Sequence, residues 1–193
     1  MDLIKKGLGA IFDFLQSIVV VMALMVMVYL FIMSPQEISG ESMYPTFENG
    51  EYILTNKVEY KLHDPARGDV IVFKSPSNKD IDYIKRIIGL PGDRVSVMDG
   101  HYYLDGQLYK EPYLDSSLYT FAGSFLKDRT EITVPPGYYF VSGDNRPHSL
   151  DSREFGVIPR GDIVGKAFLR YWPFARAGII QHPPLQQVNA AGN

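Results

Sequence analysis

The sequence predicts a mainly β protein, with an antiparallel-sheet core, an inserted β-rich elaboration and one N-terminal transmembrane helix. Near the amino terminus, residues 14 to 33 form a single long apolar run. Beyond it, short runs of branched and aromatic residues are separated by Gly, Pro and Asp, as strands are separated by turns. Residues 34 to 193 are enough for one compact domain.

The apolar run predicts a membrane-spanning helix. Every residue from Ile18 to Met33 is apolar, and residues 14 to 17 extend the run toward the roughly 20 residues that cross a bilayer. A cleavable signal peptide has a shorter apolar region and a small-residue exit, which this run lacks. A buried core helix is a second alternative, but this run is too long and too uniformly apolar for one. We therefore expect the span to be retained.

The charges beside the span predict its orientation. Lys5 and Lys6 precede it, whereas the nearest basic residue after it is Lys57. The positive-inside rule then leaves residues 1 to 13 in the cytoplasm and places everything from Ser34 outward on the extracytoplasmic side. The expected location is the cell membrane, with a single pass.

Composition excludes several classes of partner. The formal charge is −3 and the isoelectric point is near 5.8, with scattered Lys and Arg, so no nucleic-acid surface is predicted. Without cysteine, the chain has neither disulfides nor thiolate metal sites. We predict no metal or cofactor, and the sequence leaves the oligomeric state open.

Eight segments have the composition of strands: 51–55, 69–73, 83–90, 94–98, 101–109, 131–134, 137–143 and 162–172. The Asp105-Gly106 pair predicts that 101–109 is a hairpin. We assign residues 34–92 and 137–176 to the catalytic β core and the polar, turn-rich 93–136 to an inserted β-rich subdomain. Residues 177–193 have little to bury and are predicted to be a disordered tail.

Ser42, in "SGESMYPT", is a candidate nucleophile that needs a base. His148 could supply one, with Asp144 or Asp151 completing a Ser-His-Asp arrangement. A separate candidate pair is Ser124 with Lys127, an S-x-x-K spacing, although its companion motifs K-T-G and S-D-N are missing from the chain.

Lys85, in "DYIKRIIGLPGD", is the third candidate base. Its neighbours Ile84, Ile87 and Ile88 are apolar, and a lysine placed in an apolar pocket loses part of its charge because desolvation lowers the pKa. The alternative is that Lys85 and Arg86 are solvated residues of an edge strand, which the charge pattern alone favours.

Four segments behind the apolar run resemble, in order, the motifs of the bacterial type I signal peptidases, the membrane-bound Ser-Lys proteases that remove signal peptides from exported proteins. They are "SGESMYPT" (39–46), "RGDVIVF" (67–73), "YIKRIIGLPGD" (83–93) and "GDNRPHSLDSREFG" (143–156). Together with the span, the resemblance covers residues 14 to about 170, except the region 94–136.

The resemblance implies specific roles. Ser42 is expected to be the nucleophile and Lys85 the general base, with Ser149 hydrogen-bonding and orienting the lysine. Asp151 and Arg153 are expected to form a supporting salt bridge close to the site. Asp144 is expected to be a structural partner there.

Gly40 departs from the pattern of many relatives, which have a serine two positions before the nucleophile. The backbone N–H of Ser42 then becomes the main candidate oxyanion donor, with Gly40 allowing the substrate a close approach. Shallow apolar pockets for small side chains, one and three positions before the scissile bond, are predicted from four residues flanking the dyad: Ile38, Met43, Tyr83 and Ile84.

The predicted function is a membrane-anchored serine endopeptidase that cuts signal-peptide-bearing preproteins after small residues of the Ala-x-Ala type, through an acyl-enzyme. The alternative is a membrane-tethered, non-catalytic β domain that binds a peptide or protein. Ser-Lys chemistry directed at a dedicated precursor, or at the chain itself, is a third possibility. Trp172 and Phe174 either touch the membrane interface or close the core.

Overall fold

The computed structural model of the chain describes residues 2–181, in which one long helix leads into a β domain. The helices are α1 (Asp2–Phe31), α2 (Glu59–Leu62) and α3 (Ser152–Phe155). The strands are β1 (Met33–Glu37), β2 (Tyr52–Asn56), β3 (Val70–Lys74), β4 (Asp82–Gly89), β5 (Arg94–Met98), β6 (His101–Leu104), β7 (Gln107–Leu108), β8 (Glu131–Thr133), β9 (Tyr138–Ser142), β10 (Ile158–Pro159), β11 (Ile163–Trp172) and β12 (Gly178–Ile179).

Helix α1 is the one helix, within residues 2–181, that is long and apolar enough to cross a membrane. None of its candidate span, Lys6–Phe31, is buried against the rest of the protein, so the core-helix alternative is wrong. The helix begins earlier than predicted and ends at Phe31, two residues before the predicted boundary. Met33 already pairs with Asn56 in the sheet, which ends the helix.

The main sheet contains eight strands in the order β1-β2-β11-β3-β4-β9-β10, with β12 attached to β11. Every neighbouring pair described is antiparallel, which confirms the predicted fold class. Strand β11 (Ile163–Trp172) lies between β2 (Tyr52–Asn56) and β3 (Val70–Lys74), although it comes much later in the chain than both. The amino-terminal and middle parts of the sheet are therefore joined by a late segment.

A second sheet, β7-β6-β5-β8, lies within the predicted insertion. Its hairpin between β6 and β7 turns at Asp105 and Gly106, with φ of 51° and 77°, as a type I′ turn requires. The predicted hairpin is confirmed. Tyr102 of this sheet donates a hydrogen bond of 2.9 Å from its hydroxyl to Ser142 Oγ of β9, so the insertion is anchored to the main sheet.

The sequence did not predict β1, β10 and β12. These short elements contain Ser, Pro, Gln, Glu and Gly, which have weak strand preference, and their positions are set by the partner strands. The predicted tail also begins too early, because Gly178 pairs with Arg170 and Ile180 is buried in the core. The rest of that tail, 182–193, lies outside the described residues.

Trp172 and Phe174 do not close the core. Their rings pack against each other at 4.9 Å, but the two residues are 45% and 79% exposed. The core-closing alternative is wrong, and contact with the membrane interface stays a proposal.

Strand β4 lies between β3 and β9, inside the sheet. The edge-strand alternative for Lys85 and Arg86 is therefore wrong, and both residues are buried, at 4% and 1% exposure. Interior placement of two cations needs compensating contacts.

Phe140→Ala should lower the free energy of unfolding by about 3 to 5 kcal/mol, because this fully buried ring packs edge-on against Tyr102 where the two sheets meet. Urea denaturation of the detergent-solubilised protein, followed by near-ultraviolet circular dichroism, measures the change. The matched control is Phe174→Ala, which should stay within about 0.5 kcal/mol of the unmodified protein because that ring is exposed. Equal effects of the two substitutions would contradict the packing described.

Candidate active site

Ser42 and Lys85 meet at the centre of the site. Ser42 lies in the turn that follows β1, and Lys85 lies in β4. Lys85 Nζ is 2.7 Å from Ser42 Oγ and also donates a hydrogen bond of 2.9 Å to the carbonyl oxygen of Ile84. The sequence places the two residues 43 positions apart, and the sheet brings their reactive atoms into direct contact.

The Lys85 amine is largely removed from water. Burial lowers its pKa from the ordinary value of 10.5 to about 8, even though the charges of Asp151 and Asp144 act in the opposite direction. Desolvation disfavours the charged form, so a substantial fraction of this amine is neutral near pH 8. A neutral amine beside a hydroxyl can accept its proton.

Each of the two nearby carboxylates is paired with an arginine. Asp144 receives bonds of 2.9 Å from Arg86 Nε and 2.6 Å from Arg86 Nη2. Asp151 receives two bonds of 2.8 Å, from Nε and Nη2 of Arg153. Burial raises the pKa of the Asp151 carboxyl. The hydrogen bonds and the charge of Arg153 lower that pKa by more, so it lies below its ordinary value. The arginines neutralise the two anions and leave less negative potential to keep Lys85 protonated.

Three hydrogen bonds join the Ser42 turn to the loop after β9. The backbone N–H of Asn145 donates to the Ser42 carbonyl at 3.0 Å, and Asn145 Nδ2 donates to the Glu41 carbonyl at 3.0 Å. Thr46 Oγ1 donates to Asp144 Oδ2. Ser42 therefore has its position fixed by a segment about 100 residues later in the chain.

Ser149 does not hydrogen-bond to Lys85, contrary to the role that the resemblance implies. Its Oγ is buried and has no hydrogen-bond partner within residues 2–181, although it lies close enough to the Asp151 carboxylate to help lower the pKa of that group. The lysine is instead turned toward Ser42 and the Ile84 carbonyl. Because this buried hydroxyl has no partner among residues 2–181, its oxygen can accept a hydrogen bond from a nearby N–H group.

Gly143 fills the space between Ser42 and Ser149. A Cβ at this position would lie 2.2 Å from Ser149 Oγ and 2.4 Å from the Ser42 carbonyl oxygen. Both distances are far shorter than real contacts, so any side chain would displace the Ser42 turn or the Ser149 loop. The sequence placed Gly143 in a motif, but only the three-dimensional contact shows why it is glycine.

Gly40 is required by backbone conformation rather than by space. Its φ is +95°, which glycine adopts easily, and nothing lies within 4 Å of where a Cβ would be. Its N–H donates to Asn49 Oδ1 at 2.7 Å. The Ser42 N–H forms no hydrogen bond to the described part of the chain, so it is free to donate to an oxyanion.

A cleft of about 430 Å³ opens beside the pair. Three of the predicted pocket residues line it, namely Ile38, Tyr83 and Ile84. Met43 does not, because it is 1% exposed and packs in the core. The other lining residues were not predicted from the sequence, because only the sheet topology brings them here: Gln36, Glu37, Ser39, Ile53, Val72, Asp82 and Leu150.

The other two candidate sites are not assembled. His148 is exposed, and Asp144 and Asp151 are already paired with arginines, so no Ser-His-Asp arrangement forms. Ser124 Oγ hydrogen-bonds to Glu154 rather than to Lys127, the closest contact being 2.7 Å. The S-x-x-K spacing there is a coincidence of sequence.

The chain is similar to a family of known proteins. A family model described as "Signal peptidase, peptidase S26" matches residues 11–172. Signal peptidase IB of Staphylococcus aureus strain COL is 39% identical over 176 residues, which cover 86% of this chain and 91% of that protein. Signal peptidase I of Bacillus caldolyticus is 44% identical over 155 residues, covering 75% and 82% of the two chains.

One similar solved structure is the crystal structure of a signal peptidase I from Enterococcus faecalis V583, with 34% identity. It covers 54% of this chain and 97% of that chain at a TM-score of 0.46.

The family match and the identities define the class of protein: it is a serine peptidase, and so a hydrolase. The alternative of a non-catalytic binding domain is therefore rejected. More particularly, the chain belongs to the signal peptidase family, peptidase S26.

Gly143→Ala should lower kcat/KM at least about 100-fold, because the added methyl group would displace Ser149 or the Ser42 carbonyl and a small misplacement of reacting groups is costly. Peptidase assays of the purified chain measure the effect. Gly161→Ala is the matched control, since nothing lies within 4 Å of its Cβ position, and it should retain full activity. An active Gly143→Ala protein would show that the close packing is not needed.

Proposed function

We propose that this chain is a membrane-anchored endopeptidase that removes N-terminal signal peptides from exported preproteins, with Ser42 as the nucleophile and Lys85 as the general base. The observation that carries the proposal is the 2.7 Å contact between Ser42 Oγ and a buried amine whose pKa is lowered to about 8. A serine hydroxyl is a weak nucleophile without such a base.

In the first half of the reaction, neutral Lys85 Nζ accepts the Ser42 proton while Oγ forms a bond to the scissile carbonyl carbon. The free Ser42 N–H donates a hydrogen bond to the developing oxyanion. Collapse of the intermediate breaks the peptide C–N bond, and the Lys85 ammonium returns its proton to the leaving amine. The signal peptide remains as an ester on Ser42.

In the second half, neutral Lys85 takes a proton from a water molecule that attacks the ester. The C–O bond to Ser42 breaks, and Oγ recovers its proton from the lysine. Each time Lys85 becomes charged, its Nζ carries a third N–H donor. We assign Ser149 Oγ, which has no hydrogen-bond partner among the described residues, as the acceptor for that N–H. Ser149 then stabilises the charged lysine rather than orienting the neutral one.

The substrate lies extended in the cleft between β1 and β4. Main-chain hydrogen bonds to these strands bind it without regard to sequence. The side chains one and three positions before the cut share a face of an extended peptide, and here they meet Ile38, Tyr83 and Ile84. Shallow apolar pockets admit small side chains, which accounts for a cut of the Ala-x-Ala type.

Helix α1 serves as the anchor, with the amino terminus in the cytoplasm and the β domain outside. Ser42 follows the end of the helix by only 11 residues, which keeps the site near the bilayer where signal peptides reside. Lys57 lies over the Tyr29 ring at 5.5 Å, at the level of the last helical turn. This basic and aromatic contact, with the exposed Trp172 and Phe174, suits the membrane interface.

Ser42→Ala and Lys85→Ala should each lower cleavage of a model preprotein at least about 1000-fold, because each removes a reacting group. Lys85→Arg should fail as well, since arginine remains charged. The purified full chain in detergent, without added metal, is assayed by the mobility shift of the processed product. Circular dichroism confirms that each variant is folded.

His148→Ala is the control, and it should cleave at the rate of the unmodified chain because His148 is exposed and outside the contacts of the site. Activity in Lys85→Ala would remove the lysine from the mechanism. Loss of activity in His148→Ala would favour a histidine base instead.

The pH dependence should follow the Lys85 amine. Because the neutral form is the base, kcat/KM should rise about tenfold per pH unit below pH 7 and level off above about pH 8. The lowered pKa also destabilises the folded state below about pH 8. Between about pH 8 and 10.5 the amine is neutral in the folded state but still protonated in the unfolded state. The free energy of unfolding should therefore rise across this pH range until the destabilisation has disappeared. The pH profile of kcat/KM measures the first effect. Urea denaturation across the same pH range measures the second, with Lys85→Met as the control.

A further inference from the structure

Gln36 and Asp82 form a hydrogen bond across the substrate cleft. Gln36 lies in β1 and Asp82 begins β4, the two strands that form the cleft walls. Gln36 Nε2 donates to Asp82 Oδ2 at 3.0 Å. Both residues line the cleft, and both lie outside the four segments 39–46, 67–73, 83–93 and 143–156.

This bond lies at the end of the cleft away from the reactive pair. Asp82 precedes Lys85 by three residues of an extended strand, which corresponds to about 10 Å. The Ser42–Lys85 contact joins the two walls at one end, and the Gln36–Asp82 contact joins them at the other. An extended peptide has room for about three residues between the two contacts.

The two side chains are held in place by partners outside the cleft. Gln36 Oε1 accepts a hydrogen bond of 2.7 Å from Thr55 Oγ1, a buried hydroxyl of β2. Asp82 Oδ1 pairs with Lys74 Nζ of β3 at 2.9 Å. The Gln36 amide therefore presents its N–H group to the cleft, and Asp82 presents its second oxygen.

We propose that Gln36 and Asp82 clamp one peptide group of the substrate, the group that joins the fifth and fourth residues before the cut. This inference rests on the proposed function, and it adds a binding position beyond the pockets for small side chains. The donor and the acceptor that now bond to each other separate when the substrate enters.

A peptide group satisfies both partners of the broken bond. Gln36 Nε2 donates to the carbonyl oxygen of the fifth residue, and Asp82 Oδ2 accepts from the N–H of the fourth. One hydrogen bond within the protein is replaced by two to the substrate, one of them charge-assisted. Thr55 and Lys74 keep the two side chains oriented throughout.

The clamp predicts a preference that the apolar pockets cannot produce. It contacts only the main chain, so most residues are accepted at the fourth position. Proline is rejected because it has no N–H for Asp82. A peptide that ends at the third residue before the cut lacks the clamped peptide group, so the clamp does not increase its kcat/KM.

The test uses three peptides with identical residues from the third before the cut onward. The short peptide is acetylated at that third residue, the long peptide extends three alanines further, and the third peptide is the long one with proline at the fourth position. For the unmodified chain, kcat/KM of the long peptide should exceed that of the short one about tenfold, and proline should remove the gain.

Gln36→Ala and Asp82→Ala should each lower the rate on the long peptide more than the rate on the short one, so that the tenfold ratio of the two rates falls toward one. The matched controls are Gln107→Ala and Asp80→Ala, which replace the same residue types at exposed positions that do not line the cleft. These controls should keep the full tenfold gain. Each variant is assayed in detergent as the full chain.

Two results would overturn the clamp: equal rates of the unmodified chain on the long and short peptides, or an equal loss on both peptides in Gln36→Ala and Asp82→Ala. The proposed function fails in a different way. If the folded, unmodified chain cuts none of the peptides and no preprotein, the peptidase assignment of the Ser42 site is overturned, and the clamp with it.

Discussion

The placement of the Lys85 amine in a region with little water is the constraint on which the site depends. A buried cation is costly, and the protein could lower that cost by leaving the nearby carboxylates free to pair with it. Instead, Asp144 and Asp151 are each paired with an arginine. The lysine thus retains a lowered pKa. In return, the site requires that two buried ion pairs, Arg86–Asp144 and Arg153–Asp151, both form.

These ion pairs also connect the parts of the fold. Arg86 follows Lys85 directly in β4, so the strand that supplies the amine also supplies the partner of Asp144. Asp144 in turn accepts a hydrogen bond from Thr46 of the Ser42 turn. Arg146 extends the network into the inserted subdomain by pairing with Glu111. Chemistry and architecture therefore share the same contacts, and a change at one position moves several elements.

The sequence was most informative where local preference and tertiary packing agree. Valine-rich strands, such as β3 and β5, were predicted within one residue, whereas β1 was missed because its Pro and Gln are ordered only by pairing with β2. Motifs identified the segments that meet at the site, but not their contacts. The partner of Asp144 lies 58 residues earlier, the Gln36–Asp82 bond spans 46 residues, and Met43 packs in the core although it follows Ser42 directly.

The position of β11 in the main sheet has a consequence for the order of biosynthesis. The wall with Ser42 belongs to the β1-β2 side and the wall with Lys85 to the β3-β4 side, and β11 is the strand inserted between these halves. A nascent polypeptide that has not yet reached residue 163 cannot join them. Because Ser42 and Lys85 form one site only when both halves are joined, hydrolytic activity can begin only after this strand has been synthesised and paired.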